Sequence, residues 1–550
     1  MKVTVSFINE SKAIVVEEGS SILEAARRAG VTIESPCNGT GVCGKCRVKL
    51  DGGDTVLACE TLATGNLRVL TMEGARKALS IVETGYSFDV TSDNFIIKEY
   101  DTATGRTAVF GGGALLGTEE GDTREECYGL VVDIGTTTLV VSLVDLATGK
   151  ELDSASALNP QAVHAQDVLS RMKLASEEGG LHLLHSELIA EINRMIAAMT
   201  QKKSALPERI YETIFSGNTC MLHLASGVNP SSMGKFPYTP AIRGDTHIKA
   251  REHGLGVANF ALVYLPPFVS AYVGADITSG ILASQLHERK GTFLFIDIGT
   301  NGEMVISQDG RLAATSTAAG PAFEGMNITY GMRAGIGAIE HFAVEDDGRI
   351  SLKTIGDAPA VGICGSGLMD IVGELVAVGV IDRNGRLRKP EEAGPFHSLG
   401  ERLIVQDGKT AFRVSDEVIL TQKDIRQVQL AKGAVRTGVE FLLKSQNLQA
   451  RDVDKVLIAG SFGYHLRARS LVNLGLLPAD FEGKIEFLGN TSKSGGHAFL
   501  LNKTYRKQMT ELVKRVEVVE LSNYKDFDKV FVKCLGFERQ SERKLEAVEK

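Results

Sequence analysis

The segment VVDIGTTTLVVSL at residues 131–143 returns as FIDIGTNGEMVIS at 295–307. Asp133 aligns with Asp297, Gly135 with Gly299, Thr136 with Thr300 and Thr137 with Asn301. Each copy runs as an apolar strand, an acidic strand end, a Gly-Thr turn and a second strand. Self-similarity at this separation predicts a duplicated α/β domain whose halves present the same loop to a shared cleft. Such a turn aims several backbone N–H groups at one point, which makes a concavity for anions. The Asp at the strand end sits where it can hold Mg2+ through water or orient an attacking water. A structural turn explains one such copy, whereas two copies facing a cleft favour phosphate binding. Amphipathic stretches between the copies, QDVLSRMKLA and HSELIAEINRMIAAM, supply the helices that an α/β pattern needs.

The first seventy or so residues have another character. Strands at Val3–Ile8 and Ala13–Val16, the helix SSILEAARRAG capped by Ser20 or Ser21 and ended by Gly30, and short strands in CRVKLDGGD and LRVLT predict a small sheet with one helix. Into it is set SPCNGTGVCGKCRVKL. Cys37, Cys43, Cys46 and Cys59 make the pattern C-x5-C-x2-C-x12-C. The N-terminus lacks the apolar run of a signal peptide and no segment reaches membrane-spanning length, so a cytoplasmic protein is expected, and there clustered thiols hold metal rather than form disulfides. Structural zinc usually pairs two C-x2-C knuckles, and this pattern has one. A 2Fe-2S site takes three ligands from one loop and a fourth from further along. Gly39, Gly41 and Gly44 let the backbone wrap closely around bridging sulfides, and Lys45 and Arg47 oppose the thiolate charge. This loop chemistry favours the cluster over zinc or a redox dithiol. Cys127, Cys220, Cys364 and Cys534 stand far apart and read as small buried apolar residues.

A formal net charge of −8 gives no reason to expect nucleic acid, and no membrane contact is indicated. The chain divides into residues 1–75, a linker at 76–126 marked by GGGALLGTEEGDTREE, a first lobe at 127–290 and a second at 291–550. His182 and His185 read as surface or packing residues of a helix, and Asp167 and Arg171 lie at i and i+4, where they could pair. Glu324 is a candidate cleft carboxylate, Cys364 reads as a buried small residue near the cleft, and the basic C-terminus reads as a solvated tail.

ESPCNGTGVCGKC, with SILEAARRAGV before it and LACETLAT after it, resembles the β-grasp ferredoxin domain. The paired Asp-Gly-Thr loops resemble the superfamily of sugar kinases, actin and heat-shock ATPases (ASKHA). That resemblance implies that Asp133, Gly135, Thr136 and Thr137 form a first phosphate loop and Asp297, Gly299, Thr300 and Asn301 a second. It makes VLIAGSFG, with Ala459, Gly460, Ser461 and Gly463, the adenosine motif, and VQLAKGAVRTGVEFLL the connecting helix. The implied fold is a multidomain α/β chain: β-grasp ferredoxin, linker, duplicated ASKHA core.

From residue 1 to about 500 the order of motifs, including SGNTCMLHL, LPPFVSAYVGAD, AAGPAFEGMNITYGMRAGIGAIE and GICGSGLMD, resembles the reductive activators of corrinoid proteins in anaerobic methyl-transfer systems. The resemblance implies a 2Fe-2S cluster, ATP and Mg2+ as cofactors, a low-potential electron donor, a corrinoid protein as partner and a homodimer. Only Cys534 lies beyond residue 364, so the 4Fe-4S sites of some relatives are not expected. NPQAVHAQDVLSRM departs from the family's form at His164, Ala165 and Gln166, which leaves those three without an implied role. The alternatives are an activator of the radical-dehydratase type and a redox-sensing, nucleotide-gated binding module.

Overall fold

Strands β1 (Lys2–Phe7), β2 (Lys12–Glu17), β3 (Arg47–Leu50), β4 (Thr55–Leu57) and β5 (Leu67–Thr71), with helix α1 (Ile22–Arg28), build the N-terminal unit. Its sheet runs β2-β1-β5-β3-β4, with β1 parallel to β5 and the other pairs antiparallel, as a β-grasp requires. Alternation in β1 turns Val3, Val5 and Phe7 inward, where Ile22, Leu23, Ala25 and Ala26 of α1 join them in one core. Ser21 caps the helix by accepting the Glu24 N–H at 3.1 Å. The computed structural model describes residues 2–31, 33, 35, 39, 46–51, 53–71, 90–345, 347–392, 397–406, 408–460 and 466–537.

The linker expectation for 76–126 is corrected over its described part. Residues 96–120 form a three-stranded antiparallel meander, β6 (Ile96–Asp101), β7 (Arg106–Gly111) and β8 (Ala114–Glu120). Lys98 pairs with Glu119 of β8 at 3.1 Å and crosses to the first lobe by donating to Tyr211 Oη at 2.7 Å, both partners being buried. Of the glycines and acids that suggested a linker, Gly112 and Gly113 form the β7–β8 turn, Gly117 packs against Phe260, and Glu119 is buried beside Lys98.

The first lobe comprises β9 (Tyr128–Ile134), β10 (Thr138–Asp145), β11 (Glu151–Leu158), α2 (Val168–Ala175), α3 (Gly180–Lys203), β12 (Ile210–Gly217), α4 (Thr219–Ala225), β13 (Thr246–Lys249), β14 (Leu262–Leu265) and α5 (Ala275–Ala283). The second opens with β15 (Thr292–Ile298), β16 (Gly302–Gln308) and β17 (Arg311–Thr317), followed by β18 (Ala338–Val344), β19 (Ile350–Thr354), β20 (Gly362–Ile363) and α6 (Gly365–Ala377). It continues through α7 (His397–Gly400), β21 (Leu403–Gln406), β22 (Lys409–Arg413), β23 (Ile419–Thr421), α8 (Gln422–Ser445), β24 (Lys455–Ala459), α9 (Ala468–Asn473) and β25 (Ile485–Gly489). Helices α10 (Thr491–Leu501), α11 (Lys503–Val513) and α12 (Phe527–Leu535) and the short β26 (Glu517–Val518) close the chain.

The repeat read from the sequence is a repeat of topology. One sheet runs β11-β10-β9-β12-β14-β13 and the other β25-β24-β15-β16-β17-β26. In each, the strand ending in the repeated Asp pairs antiparallel with the next strand and parallel with a later one, β12 or β24. β15 is buried on both faces, so its apolar run is continuous: Leu294, Ile296 and Ile298 join the core under α8, and Phe295 joins the core of the first lobe. A capping box at Thr421 and Asp424 starts α8, the connecting helix expected from the sequence.

The expected split at residue 290 is corrected at the C-terminal end. Phe499, Leu500 and Leu501 of α10 and Met509 and Leu512 of α11 are buried in the first lobe's core. α10 crosses α5 so closely that a Cβ on Gly495 would fall 2.1 Å from the Ser279 carbonyl oxygen, and one on Gly496 would fall 2.4 Å from Val131 Cγ1. Only glycine permits that approach.

Candidate functional site

Both Asp-Gly-Thr turns open into one cavity between the lobes. Asp133, Gly135, Thr136 and Thr137 line it from the β9–β10 turn, Asp297, Gly299, Thr300 and Asn301 from the β15–β16 turn, and Gly460 from the end of β24. Ser461 and Gly463 of the expected adenosine motif lie outside the described residues. Gly460 has φ +107°, and a Cβ there would lie 2.7 Å from Ile298 O and 2.9 Å from Asp297 Oδ1, so side chains are excluded where the strand ends.

The first turn is braced from behind. Gly135 N–H donates to Thr138 O at 2.9 Å, and Asn159 Nδ2 donates to Gly135 O at 2.8 Å. Asn218, which caps α4, donates to Thr136 Oγ1 at 3.1 Å. Arg171 of α2 is fully buried and donates to Thr136 O at 2.5 Å, to Gln161 Oε1 at 3.1 Å and to Ala165 O at 3.1 Å. The expected pair of Arg171 with Asp167 does not form, because Asp167 is spent capping α2 through Ser170 N at 2.9 Å. Burial draws the Arg171 pKa down to about 10, which still leaves a cation behind the first Asp-Gly-Thr turn at neutral pH.

Four carboxyl groups crowd the cavity floor: Asp133, Asp297, Asp276 at the start of α5, and Glu303 at the start of β16. Burial raises Asp133, and the same effect with the charges of Asp276 and Asp133 pushes Asp297 up to about 8. Burial and the Asp133 charge push Asp276 up to about 7, and burial with Asp276 and Asp297 raises Glu303 well above its ordinary value. The repeated aspartates are not equivalent. Asp133 accepts from Asn490 Nδ2 at 2.8 Å and from Ser492 Oγ at 2.7 Å, whereas Asp297 accepts no hydrogen bond from the described residues. This donor set fits a divalent cation, whose charge reverses the cause of the raised values. Among the described residues no three His, Cys, Asp or Glu groups converge to ligate a metal directly.

Glu324 spans the cleft. One of its oxygens accepts the Thr137 hydroxyl at 2.5 Å and the other accepts the Thr300 hydroxyl, so one carboxylate touches both Asp-Gly-Thr turns. Arg333 is the sole basic side chain among the described residues that line the cavity, and it makes no hydrogen bond or ion pair there; its Nε is buried without a partner. A cation with an unmet donor inside an acidic cavity fits an anionic ligand.

In the N-terminal unit Cys46 Sγ and Cys59 Sγ lie 3.2 Å apart, with Gly39 packed against the Cys59 side. Cys37 and Cys43 lie outside the described residues. Two thiols converging beside a glycine of the same loop fit a four-cysteine cluster. Cys127, Cys220, Cys364 and Cys534 are buried, and burial pushes Cys127 and Cys220 up to about 12 and raises the other two. Cys364 caps α6, and its thiol donates to Ile339 O at 3.2 Å. His164 contacts Glu187 at 2.9 Å, and His185 packs edge-on against His253, both away from the cavity.

Sequence reasoning missed Asp276, Glu303, Asn490, Ser492 and Arg333. GAD and GNTSKS carry the N-terminal capping types of helices that follow a strand, which was the available signal for Asp276, Asn490 and Ser492. For Arg333 and Glu303 there was none.

A β-grasp ferredoxin unit joined to a duplicated ASKHA nucleotide-binding core defines an iron-sulfur protein of the ATPase type. Residues 6–68 match the 2Fe-2S iron-sulfur cluster binding domain, 128–289 the RACo middle region and 291–549 the C-terminal ASKHA domain of RACo. The chain belongs to the RACo family. It is 28% identical to the corrinoid activation enzyme RamQ of Eubacterium limosum, over 89% of this chain and 91% of that protein. It is 23% identical to the Co(II) methylated amine-specific corrinoid protein reductase of Methanosarcina barkeri, over 71% and 73%. A solved structure of a reductive activator for corrinoid, iron-sulfur protein matches with a TM-score of 0.74 at 28% identity, covering 98% of this chain and 99% of that one.

Proposed function

We propose that this chain is an ATP-dependent reductive activator of a corrinoid protein, passing single electrons from a low-potential donor to convert inactive cob(II)alamin on its partner to cob(I)alamin. The supporting observation is the conjunction, in one chain of RACo architecture, of converging ferredoxin-loop thiols with a cavity walled by two phosphate-type loops. When bound, the 2Fe-2S cluster carries one electron at a time, and MgATP provides free energy for a transfer that is otherwise uphill. An uphill step of about 0.2 V costs about 4 to 5 kcal/mol, within the reach of nucleotide binding and hydrolysis.

The chain's own residues divide that work. Cys37, Cys43, Cys46 and Cys59 hold the cluster in this reading. Gly135, Thr136, Thr137, Gly299, Thr300 and Asn301 receive the phosphates, Arg333 neutralises their charge, and Gly460, Ser461 and Gly463 leave room for the adenosine. Asp133, fixed by Asn490 and Ser492, would hold Mg2+. Asp297, which accepts no hydrogen bond from the described residues and is held protonated by burial and the neighbouring acids, would give up that proton to a cation's charge. The two lobes favour one arrangement with nucleotide and another without it, and only that difference can drive the electron step.

The radical-dehydratase alternative needs accessible cluster cysteines inside the ATPase lobes, and the described cysteines there are buried. We further expect a cytoplasmic homodimer. Among the described residues no helix is long and apolar enough to cross a membrane. The test is spectroscopic. Reduced protein with MgATP should convert cob(II) on a corrinoid protein encoded beside it to the cob(I) absorbance, and failure with every such partner overturns the reading.

A further inference from the structure

Glu324 sits between the two Asp-Gly-Thr turns, accepting from Thr137 of the first lobe and Thr300 of the second. The segment that carries it is fastened to the second lobe at several points. Gly320 N–H donates to Thr300 O at 2.9 Å, Thr329 N–H to Asp424 Oδ1 at 2.7 Å, and Met332 N–H to Ile363 O at 2.8 Å. Glu324 is itself 8% exposed, so its two oxygens have little recourse to solvent if the hydroxyls are taken away. Its bond to Thr137 therefore reaches out from a rigid support and ties the opposite lobe.

On the reading that the cavity binds a nucleoside triphosphate, we propose that Glu324 is a positioning residue that latches the two phosphate loops together in the nucleotide-free protein and is displaced by the terminal phosphates. A phosphate oxygen and the carboxylate compete for the same two hydroxyl donors, and their negative charges repel at close range. Nucleotide binding then has to break the Thr137–Glu324–Thr300 bridge. That couples occupancy of the cavity to the contact between the lobes. The bridge joins positions that the repeat does not equate, since Thr137 aligns with Asn301, so it is a device of this cleft and not an echo of the duplication.

Glu324→Ala removes the competitor. It should tighten MgATP binding about tenfold, measured by calorimetry on the full cluster-loaded chain, and lower KM for ATP without raising kcat. A distance reporter between labels placed on the two lobes should show the nucleotide-free variant already in the arrangement that wild type adopts only with MgATP. Unchanged or weaker MgATP binding by Glu324→Ala, with wild type binding normally, overturns the latch and leaves the proposed function standing. Wild type that binds no MgATP overturns the reading beneath it. Should Glu324→Ala fail to fold, the isosteric Glu324→Gln is judged by the same criterion: tighter binding supports the latch, equal or weaker binding overturns it.

Discussion

Asn490 donates to Asp133 at 2.8 Å across a sequence separation of 357 residues, and the same aspartate takes a second hydrogen bond from Ser492. The strand end that opens the first Asp-Gly-Thr turn is thus held by the junction between β25 and α10. Replacing Asn490 or Ser492 by Ala leaves a buried carboxylate oxygen without its donor. Each change should cost about 1–3 kcal/mol of stability and reduce ATP hydrolysis, read by thermal melting and by phosphate release. Unaltered melting in both variants contradicts this account of Asp133.

The crowded carboxyl groups give the nucleotide-free protein a pH-dependent weakness. Asp297 titrates near 8 in the fold against an ordinary 3.8. Below pH 4 both states hold the proton, and no difference arises. Between about 4 and 8 the unfolded chain ionises this group while the fold retains its proton, so stability falls as pH rises and levels off above 8. Asp276, raised by burial and the Asp133 charge, shifts stability in the same direction. Melting temperatures from pH 5 to 8 should decline, and Asp297→Asn should flatten the decline. A wild-type profile that rises over this range refutes the assignment.

Among the described residues the buried Nε of Arg333 has no partner in the cavity it lines. Arg333→Met should raise KM for ATP by about 10- to 100-fold, the worth of one charge-assisted hydrogen bond, and leave the visible spectrum of the cluster untouched. Equal KM values place the guanidinium away from the phosphates.

Cys59→Ser and Cys46→Ser should abolish or strongly reduce the bound iron and the visible absorbance while MgATP binding in the lobes persists, because the N-terminal unit has its own core. Corrinoid reduction should fall to background. Full iron content in both variants removes these residues from the ligand set.

The sequence made the duplication legible because an Asp-Gly-Thr turn between apolar strands leaves little freedom in what surrounds it. The β-grasp unit was legible for a similar reason: four thiols and several glycines in one loop restrict the chemistry. The asymmetry between Asp133 and Asp297 could not be read, since it is created by Asn490 and Ser492 arriving from the far end of the chain. Residues 96–120 were misjudged because a short three-stranded meander rich in Gly and acids has the composition of a linker. Arg171 was found at the right helix position but given the wrong partner. A carboxylate at i−4 is a weaker attraction than a cap, and the deep side chain was claimed by Thr136 and Gln161.

The return of α10 and α11 to the first lobe also has a consequence for how the molecule is made. A ribosome that has extruded residues 127–290 has delivered a sheet whose inner surface still lacks Phe499, Leu500 and Met509. That half cannot be completed until the last tenth or so of the chain has emerged. A gene fragment that ends at the boundary between the two lobes should therefore yield an aggregating product, and supplying residues 488–516 as a separate peptide should improve its solubility.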